Sequence, residues 1–120
     1  MKRDMDMIRQ LLIDAEAHDS KPPFLSADNP NVVYQISLLN EAGLMNAIIR
    51  KNEYGLPGDA VITGLTWAGH DFLDAARDDT IWKKAQDAFL KPGISWTFSI
   101  LVEWLKQEAH NKIFGVPKGS

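Results

Sequence analysis

The chain contains no cysteine. Disulfide frameworks, zinc ribbons and thiol nucleophiles are therefore excluded, and thiol chemistry says nothing about compartment. Long apolar runs are missing too. No stretch approaches the roughly 18 residues that a membrane span needs, so no membrane role is expected. The opening MKRDMDMIRQ carries Asp4 and Asp6 and is not expected to act as a signal peptide. Basic charge is scarce where a DNA reader would need it, with no Arg or Lys from Pro22 to Ile49. Thirteen basic residues against sixteen acidic ones leave a net charge of -3. That balance counts against strong non-specific nucleic-acid binding.

What remains is an ordinary globular composition, 45% apolar and 24% charged, in 120 residues. That length suits one modest core, most simply in the cytoplasm. From Asp4 to His18, Met7, Ile8, Leu11, Leu12 and Ala15 recur at helical spacing behind Asp4 as N-cap. Pro22 and Pro23 stop this helix. FLSADNP follows as a short loop or strand. Asn29 with Pro30 opens a second helix, Asn31 to Ala42, which Gly43 closes.

Leu44–Asn52 and Ala60–Leu65 read as two strands around EYGLPGD. A connection of six or seven residues makes that hairpin a loosely held wing. Thr66 caps the next helix, with Trp67 at its first position and Gly69 as a packing contact. Asp78, Asp79 and Thr80 break or restart the helix. Ile81–Leu90 is helical and ends at Lys91-Pro92-Gly93, and a last helix runs from Ser95 to Phe114. The expected core is Trp67, Phe72 and Leu73 with Ile8, Leu12, Ile36 and Leu39.

The order of these elements is a winged helix-turn-helix arrangement. The fold class expected is α+β, mostly α: a winged-helix-like domain over 1–79 and a helical extension over 80–120, packed as one structural domain. Three blocks, MKRDMDMIRQLL, VVYQISLLNEAGLM and LTWAGHDFLDAARDDTIWKK, resemble a bacterial and phage-associated family, domain of unknown function 2513. The resemblance covers roughly residues 1 to 90. It implies a winged-helix-like domain frequently encoded in prophages, with no catalytic residues to carry over. More distantly, EAGL…LTWAGHDFL is similar to winged-helix transcription regulators. The chain departs from them in having only about twelve residues between its first two helices. That is little room for the scaffold helix that precedes a recognition helix.

Two functions are open at this point. The first is a small regulatory protein of phage or prophage type that binds duplex DNA weakly. Its contacts would be Asn31, Tyr34, Gln35 and Ser37 on the second helix and Arg50 and Lys51 on the wing. The second is a protein-interaction module on the same scaffold, without nucleic acid. Catalysis is not expected, because no nucleophile elbow, phosphate loop or paired carboxylates stand out. His70 and Asp74 form an i, i+4 pair without a third ligand, too little for a metal site; neither metal nor cofactor is expected.

Residues 67–79 carry one Arg against four Asp, and residues 80–92 carry three Lys against one Asp. These are read as two solvated faces, or as a pairing between subunits. In the last helix Ile94, Phe98, Leu101 and Leu105 share one side. Trp96, Ile100 and Trp104 share another, which predicts a homodimer through those three residues.

Overall fold

The computed structural model describes residues 2–18, 21–89 and 97–114. Among them are five helices and a three-stranded antiparallel sheet, so the class is α+β and mostly helical. The chain divides into two compact units, Met1–His70 and Asp71–Ser120.

The first unit begins with α1 (Met5–His18). Asp4 starts it, its carboxylate accepting from Met7 N at 3.1 Å and its carbonyl from Ile8 N at 2.9 Å. Strand β1 (Leu25–Ala27) follows. Then α2 (Pro30–Glu41) opens on the Asn29 side chain, which accepts from Asn31 N and Val32 N. Gly43, at φ +76°, ends it. Its N–H donates to Asn40 O at 3.2 Å while Leu44 N–H donates to Leu39 O at 3.0 Å, so two orphan carbonyls of the helix are satisfied by one left-handed residue. The chain is then already aimed into β2 (Met45–Lys51), which pairs with β3 (Pro57–Leu65).

The sheet order is β1-β3-β2. Leu25 faces Ile62 and Ala27 faces Ala60 across the first ladder; Ile48 faces Val61 and Arg50 faces Asp59 across the second. At the outer strand, the Asn40 side chain accepts from Ala47 N at 3.2 Å. The FLSADNP segment is therefore in part a strand. The third strand starts three residues earlier than expected, because Pro57 occupies the first strand position, where proline removes no ladder bond.

The hairpin tip is correspondingly short and well held. Asn52 brackets it: the side-chain oxygen accepts from Tyr54 N and Leu56 N at 2.9 and 3.1 Å, and Asn52 N donates to Leu56 O at 2.7 Å. Gly55 supplies the left-handed turn at φ +76°. The hairpin is not the loosely held connection its length suggested.

Ile8, Leu12, Val33, Ile36, Leu39, Met45 and Ala60 are buried. At the end of β3, Thr66 does two things. Its hydroxyl accepts from Gly69 N at 3.0 Å, capping α3 (Trp67–Ala76), and donates to Gly43 O at 2.6 Å. Gly69 is required here because a Cβ would overlap the carbonyl oxygen of Leu44. Trp67 is the correction. It is 88% exposed and not a core residue. At about 100° per residue it sits roughly 140° around the helix from Phe72. The joint is closed by the Gly69 and Leu44 backbones, not by the indole.

In the second unit Phe72, Leu73, Ala75 and Ala76 are buried. Asp78 caps α4 (Asp79–Ala88) by accepting from Ile81 N, and α4 buries Ile81, Trp82 and Ala85. α5 (Phe98–Phe114) begins later than Ser95, on Thr97, whose carbonyl accepts from Leu101 N and whose hydroxyl accepts from Ile100 N. Leu101 and Leu105 are buried.

Candidate functional site

The residues proposed to read DNA lie on α2 and on the β2–β3 hairpin. On α2 the structure commits most of them elsewhere. Gln35 is fully buried, not on the flank. Its oxygen accepts from Asp4 N at 2.9 Å, and its amide donates to Lys2 O at 2.8 Å and to Asn31 Oδ1 at 3.1 Å. The glutamine thus ties the segment before α1 onto α2, and it draws Asn31 into the same network. A nucleic acid could reach it only by breaking that network. The Ser37 hydroxyl donates to Tyr34 O at 2.7 Å, and both residues are half-buried.

On the hairpin, Arg50 and Asp59 are cross-strand neighbours. The guanidinium donates from both Nε and Nη2 to the two carboxylate oxygens at 2.8 and 2.5 Å. This hydrogen bonding, aided by the opposite charge, raises the Arg50 pKa; the same bond lowers Asp59 below the usual carboxylate range. This fork uses the Nε–Nη2 edge of the guanidinium, one of the edges on which arginine takes a phosphate. Lys51 is exposed at the end of β2.

The sign of the pH dependence follows. Asp59 binds its proton less readily folded than unfolded. The pair's contribution is therefore complete above the unfolded carboxylate pKa, about 4, and fades as pH falls through the lower folded value. Asp59→Asn should consequently lower the melting temperature slightly at neutral pH and match the parent in acid, which flattens the acid limb of a melting-temperature profile. An unaltered acid limb would mean that the fork does not persist in solution.

The other expected sites fare differently. His70 lies with Nδ1 3.6 Å from Glu16, so its neighbour is a glutamate of α1, not Asp74. Among the described residues no group of three metal-ligating side chains converges. Trp96, Ile94 and the Phe98 side chain lie outside the described residues. Ile100 is 53% exposed. Trp104 meets Phe89 edge-on, with ring centroids 5.5 Å apart and planes at 75°. That contact covers part of the second apolar side of α5 within one chain.

Asp59 is the partner of Arg50 that spacing alone does not reveal. A regular ladder counted back from Lys51 opposite Pro57 puts Gly58 across from Arg50; a register shift between Arg50 and Lys51 brings Asp59 there instead.

With this geometry in view, residues 2–95 match the family described as hypothetical protein (DUF2513), the domain of unknown function 2513 that the three blocks resembled. The chain belongs to this family. It is also similar to an uncharacterized protein of Haemophilus influenzae, 40% identical over 90 residues, which covers 68% of this chain and 73% of that one. No solved structure matches. The family match spans the first unit from residue 2 onward and reaches past α4. The Arg50–Asp59 fork, the Gln35 network and the Gly69 joint all lie inside it. No described helix is long and apolar enough to cross a membrane.

Proposed function

We propose that this DUF2513 member is a winged-helix-like module that acts by binding another protein, in a cytoplasmic regulatory role of phage or prophage type, without catalysis. The order α1-β1-α2-β2-β3, with β1 on the far side of β3 from β2, supports the winged-helix reading. The observation that carries the choice of partner is the Arg50–Asp59 fork. It takes up one of the two wing cations, and the helix that would enter a groove offers no Lys or Arg at all. Phosphate contacts supply most non-specific DNA affinity, and here the candidate face has little to make them with.

The test is a titration of random and A·T-rich duplexes at about 50 mM salt, where electrostatic binding is strongest. No shift is expected, and the Arg50→Ala, Lys51→Ala double variant should match the parent. Binding lost in that variant, with a log–log salt slope near -2 for about two phosphate contacts, would overturn the reading in favour of DNA.

The argument for a dimer through Trp96, Ile100 and Trp104 needed an uncovered stripe, and Trp104 has a partner in its own chain. Light scattering at micromolar concentration should therefore give a mass near 13.5 kDa. A doubled mass would restore the dimer.

A further inference from the structure

α1, β1 and the first half of α2 surround a groove of about 440 Å³ within the first unit. Its lining includes Ile36 and Ile62, both buried, and Leu11, Leu25 and Val32, each only half-buried. Three large apolar residues from three different elements thus line one space and leave part of their surface uncovered.

The chain explains why. In a helix-turn-helix domain, a scaffold helix precedes the recognition helix. Here β1 ends at Ala27, and Asn29 already spends its side chain on capping α2. No residues remain between them to build a helix. The groove lies among the elements on which such a helix would pack.

We infer that this groove receives one amphipathic helix of a partner protein, with a lysine or arginine beside its apolar stripe. The inference rests on the protein-binding reading above and names the partner's chemistry. A helix laid in a groove presents apolar side chains at i, i+3, i+4 and i+7, which suits an apolar space walled by two helices and a strand. Charge fixes the rest. Asp14 is the carboxylate in the lining, exposed and steadied by Gln10 Nε2 at 2.9 Å. His18 is turned to the backbone, its Nε2 donating to Lys21 O and Pro23 O at 2.9 and 2.6 Å. Among the described residues no Lys or Arg lines the groove. A cation on the incoming helix meets Asp14; an anion or a phosphate backbone meets a carboxylate. A second copy is the weaker occupant: among the described residues α4 and α5 bury Ile81, Trp82, Ala85, Leu101 and Leu105, and Ile100 alone of their large apolar residues is exposed.

The probe is a fluorescein-labelled, alanine-based helical peptide with a leucine stripe flanked by lysines. Its counterpart carries glutamate in place of each lysine. Anisotropy titrations with the full chain should show micromolar binding of the lysine peptide and weaker binding of the glutamate peptide. Asp14→Lys should weaken the lysine peptide about fivefold and reverse the preference. Val32→Glu, which charges the groove wall, should weaken it by more than about tenfold. Asp14 is exposed, so its variant keeps the test decisive if Val32→Glu fails to fold.

Equal affinity for the two peptides, no binding of either, or indifference to Asp14→Lys would overturn the inference. So would self-association of the chain that Val32→Glu abolishes, which would make a second copy the occupant. Duplex titrations on the same proteins separate the two levels. DNA binding through Arg50 and Lys51 would overturn the protein-binding reading itself. Loss of peptide binding without DNA binding would overturn the groove alone.

Discussion

Gly69→Ala should destabilise the protein by about 3 kcal/mol, the opposite of what helix propensity alone gives. In an exposed helix the same change is favourable by up to about 1 kcal/mol. Here the new methyl lands on the Leu44 carbonyl, a backbone group that cannot rotate aside. Leu44 is also fixed from both directions: its N–H donates to Leu39 O at 3.0 Å and its oxygen accepts from Thr66 N at 3.3 Å. Moving it would disturb the end of α2 and the start of β2 together. Overpacking of this kind costs about 1–3 kcal/mol and occasionally more, and the rigidity of the neighbour puts Gly69 at the upper end. Urea unfolding measures it directly. A midpoint equal to or above the parent's would show that the two backbones do not meet.

Ile36→Ala and Leu73→Ala should each cost about 2–5 kcal/mol, as buried large-to-small changes do. Both residues are fully buried, but their surroundings differ in a way that orders the two. Ile36 lines the open groove, so water can enter the space left by its deletion, and its loss should fall near the lower limit. Leu73 lines no such opening among the cavities described and should fall higher. Thermal melts read the difference as several degrees, at roughly 4 °C per kcal/mol for a chain of this size. An unchanged melting temperature for Leu73→Ala would mean that the register of α3 is wrong.

Much of the fold was legible because its signals are local. Asp4, Asn29, Thr66 and Asp78 each cap a helix within three residues of themselves, and Gly43 closes α2 through bonds spanning one turn. Such devices depend on neighbours in sequence, so spacing reveals them. The failures are long-range. Gln35 reads as a surface residue until the backbone of residues 2 and 4 arrives, more than thirty positions away. Trp67 reads as core by residue type, yet its position on the helix turns it outward. Asp59 reads as loop because Pro57 and Gly58 hide the start of a strand. Arg50 reads as an unengaged cation for the same reason, because its carboxylate partner stands opposite only once that strand is in place. The groove could be suspected from the short connection before α2, but its lining depends on how three elements pack, which periodicity does not encode.

The Asn40–Ala47 hydrogen bond bears on aggregation. β2 is paired by β3 on one side only, and its AIIRK sequence combines β-branched residues with an exposed Ile48. An outer strand of that kind is a template on which other chains can add. The Asn40 amide oxygen already occupies the Ala47 N–H, and Arg50 and Lys51 place charge at the strand's far end. A newcomer would have to displace a side chain at one end and pass the Arg50–Asp59 pair and the exposed Lys51 at the other. Asn40→Ala should therefore leave the fold intact while shortening the lag before fibrils form on prolonged agitation.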